Sequence, residues 1–297
     1  MEAIQCNNVT KKFGDKTVLK GINFKIDAGS SVGLLGKNGA GKTTLNRILT
    51  GLSFATSGET FIKGDTPKCG NKTIGFLSEN ISVFPNLTAC ENLSQVFLIN
   101  NIKPDINKIQ SILDTVSIEN SKKKAGKFSL GMKRRLQIAM SVLSVERDII
   151  ILDEPTNGLD INGVLWLKNL LCDFKDKGKT LIITSHAIRE LENILSHYSI
   201  ISDGKIVAFG KMSDICETDT VISLNPTDII KVTELLNNNE ISHSFSNNTV
   251  TVNDSNLELT QKCMALLLKA NIVPLNFSTQ SKSLVDLFVS YTEEKNA

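Results

Sequence analysis

From Glu2 to Ile26 apolar and polar residues alternate, with turn residues at FGDK (13–16) and DAGS (27–30). Alternation of period two, bounded in this way, predicts antiparallel strands with one face on a core. The pattern then changes. SVGLLG (31–36) is a continuous apolar run, a glycine-rich turn follows, and KTTLNRILTGL (42–52) has helical spacing. Further strand signals fall at TFIKG (60–64), TIGFL (73–77), IIIL (149–152), TLIITS (180–185) and YSIISDGKIVAFG (198–210), with helical spacing at 88–100, 104–116, 131–144, 161–176 and 187–195. Strands alternating with helices predict an α/β sheet covered on both faces. Composition shifts near Lys211 to Thr220, so the expected domains are 1–215 and 216–297. In the tail the expected order is strand 220–224, helix 227–237, strand 241–246, strand 248–253, helix 256–270 and strand 272–277, with a hairpin turn at SNNT (246–249). This βαββαβ order is that of the ferredoxin-like motif. A last helix, SLVDLFVSYTEE, closes the chain.

The 297 residues are 41% hydrophobic and 22% charged, which is globular composition and room for two domains. A net charge of +2 gives no global field that argues for nucleic acid. The basic stretch is local: Ser121 to Arg135 holds seven Lys or Arg and no acid. Six scattered cysteines without a C-x-x-C pair fit free thiols in a reducing cytosol better than zinc or a disulfide framework. The first residues lack the apolar core of a signal peptide, and no window approaches 18 uninterrupted apolar residues. Any action at a membrane is expected to need another chain for the membrane part.

GKNGAGKT, Gly36 to Thr43, satisfies G-x-x-x-x-G-K-[ST] between an expected strand and an expected helix. Glycines let successive N–H groups turn inward onto phosphate oxygens, and the helix N-terminus adds its dipole, worth up to ~2 kcal/mol. Lys42 is expected to reach the β- and γ-phosphates, and Thr43 to offer its hydroxyl to Mg2+. Gly36, Lys37, Asn38, Gly39, Ala40, Gly41 and Thr44 complete the expected ATP contacts. RDIIILDE (147–154) is an apolar strand ending in two acids. A carboxylate at the tip of a core strand is costly unless a cation meets it. Asp153 is therefore a metal ligand candidate, and Glu154 is placed to polarise an attacking water, help worth ~10²–10⁴-fold. TSH (184–186) ends another core strand and points to His186 as a γ-phosphate contact, since open α/β sheets bind ligands beyond their strands' carboxyl ends.

These parts, in this order, resemble the nucleotide-binding subunit of an ABC transporter over about residues 1–215. The resemblance implies a P-loop NTPase ABC ATPase domain with an antiparallel β subdomain and a helical subdomain (about 80–145), followed by a small α+β accessory domain. It implies Walker A at Gly36 to Thr43, a Q-loop position at Glu79, a signature at FSLGM (128–132), Walker B ending in Asp153 and Glu154, a D-loop with Asp160, and His186 in the H-loop. Phe13 matches the aromatic that stacks on adenine, and Glu79 stands where a glutamine contacts magnesium. Ser129 and Gly131 match the groups that bind the γ-phosphate held by a second subunit. Two head-to-tail copies, a homodimer, would enclose two ATP molecules, with Lys133 to Arg135 lining or flanking the interface. VFPNLTA (83–89) becomes the candidate contact with a transmembrane permease, on the cytoplasmic face of the membrane.

The signature departs from the family's LSGGQ at Leu130 and Met132, and Glu79 departs from the usual glutamine. With a single cassette, these features resemble exporters that give resistance or immunity to lantibiotics and bacitracin-like peptides. For the tail two roles stay open, stabilising the dimer or regulating turnover. Two rival readings are a soluble ABC ATPase acting on ribosomes or DNA and a binding module with a dead ATPase. One cassette without a heptad run opposes the first, and Glu154 with His186 opposes the second.

Overall fold

The computed structural model describes residues 2–68, 73–185, 188–215, 218–255, 257–281 and 283–293. They form two compact units: one runs to Gly210 and takes in the end of the last helix from Phe288, and the other is Lys211–Leu287.

In the first unit β1 (Glu2–Phe13) and β2 (Lys16–Asp27) pair antiparallel, and β3 (Ser31–Leu35) leads into α1 (Lys42–Leu49). Next come β4 (Ser57–Ile62), which pairs with β1, and the short β5 (Ile74–Leu77). Three helices follow: α2 (Ala89–Ile99), α3 (Ile106–Thr115) and α4 (Leu130–Ile138). The unit continues through β6 (Ile149–Asp153), α5 (Ile161–Asp176), β7 (Thr180–Thr184), β8 (His197–Ser202) and β9 (Lys205–Lys211). The main sheet has the order β5-β6-β7-β3-β8-β9, parallel from β5 to β8. Every residue of β3, β6 and β7 is buried, as continuous apolar runs in a two-sided parallel sheet must be.

The expected strand 198–210 is two strands joined by Asp203-Gly204, both at positive φ (49° and 77°). An Asp-Gly pair between apolar runs is the type I′ hairpin signal, which the run as a whole masked. The expected helix 187–195 is represented by two short 3₁₀ turns, Ile188–Glu190 and Glu192–Ile194. Leu191 and Ile194, three apart and buried, satisfy a three-residue period as well as an α-helical one. The expected helix 131–144 ends as a π turn, Ala139–Leu143, closed where the Ser144 amide donates to Ala139 O (3.1 Å).

α2, α3 and α4 share a separate apolar core that includes Leu93, Phe97, Leu113, Phe128 and Leu136. Thr88 and Glu91 form a reciprocal capping box at the start of α2. One turn on, Asn92 is fully buried. Its Oδ1 accepts from the Phe84 amide (2.8 Å), and its Nδ2 donates to the carbonyls of Phe84 (3.1 Å), Leu87 (3.3 Å) and Thr88 (2.8 Å). The segment 84–88 is bonded in turn to the basic stretch, since Ala125 N donates to Leu87 O (2.8 Å) and Gly126 N to Pro85 O (2.9 Å).

The second unit contains β10 (Thr218–Ser223), α6 (Ile229–Asn238), β11 (His243–Ser246), β12 (Thr249–Ser255), α7 (Leu257–Lys269) and β13 (Asn276–Ser281). Its sheet order, β11-β12-β10-β13 with every neighbour antiparallel, is the ferredoxin-like arrangement expected from the sequence. Asn247 and Asn248 turn the β11–β12 hairpin at φ 47° and 62°. The last strand lies four residues later than expected, because Pro274 has no N–H for a ladder; Val273 and Leu275 are exposed. α8 (Leu284–Glu293) follows.

Asn92→Leu should remove about 1–3 kcal/mol, the usual result of stripping a partner from buried backbone groups. A lower urea midpoint and faster amide exchange at Phe84 are expected; unchanged exchange there would contradict the clamp.

Candidate functional site

β3, β6 and β7 are parallel neighbours and therefore end at one edge of the sheet. The loop 36–41 leaves β3 at that edge and must pass very close to the structure behind it. A Cβ on Gly36 would lie 2.6 Å from Ile201 O, and one on Gly41, at φ 112°, 2.6 Å from Leu19 Cδ2. Only glycine fits both places. Gly41 is also the N-cap of α1 and has no side chain to occupy the first-turn amides, which leaves them for an anion. Lys42 is 7% exposed. Its Nζ donates to the carbonyls of Gly36 (2.6 Å) and Lys37 (3.4 Å). Burial pushes the Lys42 ammonium below its ordinary pKa, and Glu154, Asp153 and Glu79 oppose that fall.

Asp153 ends β6 and is 1% exposed. Its Oδ1 accepts from Thr184 Oγ1 (2.6 Å) and, at the limit of a hydrogen bond, from Asn46 Nδ2 (3.5 Å). Its Oδ2 is buried and accepts no hydrogen bond among the described residues. Glu154 follows at φ 50°, a left-handed conformation that costs a non-glycine residue about 1–3 kcal/mol. It is held in place from both sides. Its amide donates to Thr184 O (3.0 Å) and Thr184 Oγ1 (3.1 Å), and its carbonyl accepts from Arg134 Nη2 (2.6 Å).

A cavity of about 850 Å³ unites Lys37 to Thr44 with Glu79, Asp153 and Glu154, and a bound nucleotide needs a space of this order. Sequence reasoning missed the rest of its lining: Lys16, Thr17, Val18 and Lys20 from β2, Asn157, and the Asp203-Gly204 turn. It also missed Thr184, although a hydroxyl at the end of an apolar strand next to two acids was a usable signal. Outside the lining formed by the described residues stand Phe13, Gly36, Ser129, Gly131 and Asp160. Phe13 is 54% exposed with Lys11 Nζ 4.9 Å from its ring centre. Ser129 is exposed and caps α4, its Oγ accepting from Met132 N (3.2 Å). Asp160 caps α5, accepting from Gly163 N (2.7 Å). His186 lies outside the described residues.

Arg134 departs from its expected place at a subunit interface. It is 4% exposed and turned into its own chain. Nη2 donates to Asp153 O (3.1 Å) as well as Glu154 O, and Nε donates to Pro155 O (3.3 Å). Its neighbour Arg135 lies over the Trp166 ring at 5.2 Å.

The oxygen groups at the edge fit a hard cation. A hydroxyl (Thr43) and carboxylates (Asp153, Glu79) are the donors magnesium takes, and among the described residues no donor meets the buried Oδ2 of Asp153.

The profile of the ABC transporter family matches residues 19–157. The lantibiotic transport ATP-binding protein SrtF of Streptococcus pyogenes is 36% identical over 206 residues, 69% of this chain and 89% of that protein. The bacitracin transport ATP-binding protein BcrA of Bacillus licheniformis is 39% identical over 213 residues, 69% of this chain and 68% of that protein. The linearmycin resistance ATP-binding protein LnrL of Bacillus subtilis is 34% identical over 238 residues, 76% of each chain. Among solved structures, a dimeric ATP-binding cassette in a post-hydrolysis state with ADP and Pi superposes with a TM-score of 0.62. It is 26% identical, and the match covers 70% of this chain and 98% of that one. The chain belongs to the ABC transporter family, as an ATP-binding subunit whose reaction is ATP hydrolysis.

Because burial lowers the Lys42 pKa in the folded chain, the unfolded chain keeps that proton to higher pH. The contribution of Lys42 to stability should therefore rise as pH climbs from the folded value toward the ordinary 10.5, while the Cys6 and Cys263 thiols, pushed up by burial, act in the opposite sense. Urea midpoints of the nucleotide-free protein across the alkaline range below the ordinary lysine value should carry this rise. Lys42→Met should flatten it; a profile identical to wild type would contradict the burial.

Proposed function

We propose that the chain hydrolyses Mg·ATP in a pair with a second copy, and so drives peptide antibiotics of the lantibiotic or bacitracin type through a separate membrane permease. Residues 1–215 are the cassette, about 80–145 its helical subdomain, and 216–297 an accessory domain. The observation that carries the ATPase reading is the buried pair Asp153 and Glu154 facing the Lys42 loop across one cavity. The printed functions of SrtF and BcrA support the cargo.

Gly36 to Thr44 wrap the triphosphate with backbone amides, and Lys42 supplies a poorly hydrated cation to its β- and γ-phosphates. Thr43, Asp153 and Glu79 would hold magnesium, which when bound neutralises charge on the phosphate oxygens. Glu154 takes the proton of the attacking water, and His186 contacts the γ-phosphate. Phe13 stacks on adenine, worth ~1–3 kcal/mol.

Ser129, Gly131 and Asp160 act across the pair, on the nucleotide held by the other copy. In support, Ser129 is exposed and Leu130 is 70% exposed at the start of a helix that buries Arg134, Leu136 and Ile138 further on. A two-fold pair makes such a contact reciprocal. Hydrolysis removes the bridge, and the bias between closed and open arrangements is passed to the permease. Among the described residues no helix is long and apolar enough to cross a membrane. The subunit works at the cytoplasmic face, with Val83 to Ala89 against the permease.

Glu154→Gln should cut hydrolysis by about 10²-fold or more and accumulate an ATP-bound dimer. Size-exclusion chromatography with light scattering, in ATP and magnesium, reads the dimer; a monomer under those conditions contradicts the shared site. Ser129→Arg should abolish hydrolysis while the monomer still binds a fluorescent ATP analogue. Loss of that binding would place Ser129 in its own chain's site.

A further inference from the structure

Arg134 is the one buried cation of the basic stretch among the described residues, and its hydrogen bonds are unusual. A guanidinium is a rigid fork suited to carboxylates. Here it spans three consecutive backbone carbonyls, those of Asp153 (3.1 Å), Glu154 (2.6 Å) and Pro155 (3.3 Å). The residue in the middle is the one with left-handed backbone, φ 50°. Such a conformation persists only where the surroundings hold it. Two elements do so: β7, through Thr184 and the Glu154 amide, and α4, through Arg134 and the Glu154 carbonyl.

A second arm reaches the Glu79 loop. Arg134 Nη1 donates to Gln137 Oε1 (3.2 Å), and Gln137 Nε2 donates to Ile81 O (2.7 Å), two residues beyond Glu79. α4 itself begins at the exposed Ser129.

We propose that Arg134 is a positioning residue that fixes the backbone of Glu154, and hence the aim of its carboxylate, from the helix that Ser129 opens. Through Gln137 the same fork ties that aim to the loop carrying Glu79. The inference rests on Glu154 as the group that activates water. It adds a route within one chain: Ser129 meets the other copy's nucleotide, and a turn of α4 about that contact moves Arg134, which resets Glu154 at the chain's own nucleotide. The two sites of a pair are then coupled through one buried side chain.

The test compares wild type, Arg134→Gln and Arg134→Lys as full-length protein. It measures kcat, KM, affinity for a fluorescent ATP analogue, Tm, and amide exchange over 154–158. For Arg134→Gln we expect kcat to fall about 10²-fold, the usual effect of a misplaced reacting group. KM and nucleotide affinity should stay within about threefold, because ground-state binding is untouched. Faster exchange should be confined to 154–158, and Arg134→Lys, with one ammonium for three carbonyls, should recover little of kcat. An unchanged kcat overturns the proposal. So does a fall in kcat matched by equal losses of affinity and Tm, which is what a residue that merely supports the fold would give. If Arg134→Gln does not fold, Gln137→Met keeps the arginine and should lower kcat about tenfold at constant KM; an unchanged kcat there overturns the coupling to the Glu79 loop. An inactive wild type would instead sink the ATPase reading, and exchange over 154–158 would then decide the role of Arg134 alone, unchanged exchange overturning it.

Discussion

Two adjacent carboxylates buried at the end of a core strand are the constraint around which the first unit is arranged. Asp153 and Glu154 are 1% and 5% exposed, beside β7, which is buried along its whole length. Charges so placed cost several kcal/mol each unless donors and cations meet them. Thr184 donates to the Asp153 carboxylate, and Lys42 and Arg134 bring buried positive charge near both acids. Each cation is itself pushed toward its neutral form by burial and held charged by the same carboxylates, Glu79 included. The group is therefore interdependent, and taking away one partner leaves another's charge uncompensated.

The sheet makes this clustering possible. Parallel strands deliver the ends of β3, β6 and β7 to one edge, and the glycines at 36 and 41 let the loop between β3 and α1 lie against that edge. What remains open there is cavity, with amides and Lys42 on one side and carboxylates on the other. Such a space suits a polyanion that brings its own hard cation. The helical region is joined to the edge by side chains. Asn92 and the 125–126 amides hold the segment 84–88 against the stretch that leads to Ser129, and Arg134 continues from that helix to Glu154. A displacement at 84–88 thus has a short, hydrogen-bonded path to the chemistry.

Much of this was legible in the sequence because its chemistry is local. Gly36 to Thr43 and the IIILDE run carry their meaning in fixed spacing, and the SNNT hairpin in two asparagines that tolerate positive φ. Arg134 was not legible in the same way. As one of three successive cations it read as solvated charge, and only its position four residues before the buried Ile138 marked the inward face of α4. The cavity wall from β2 and the Asp203-Gly204 turn was hidden for a different reason. It depends on which strands become neighbours across the fold, and periodicity carries no such information. Pro274 shows a third kind of miss, where an apolar run suggested a strand and a single missing N–H moved it.

The most direct measurement of the central claim is a crystal structure of the wild-type chain with magnesium and a non-hydrolysable ATP analogue. The account predicts a triphosphate lying along Gly36 to Thr44, with Lys42 at its β- and γ-phosphates and Ser129 and Gly131 of a second copy closing over the γ-phosphate. A triphosphate bound elsewhere, or bound in that loop while every other copy's Ser129 stays distant under conditions that support turnover, would contradict it.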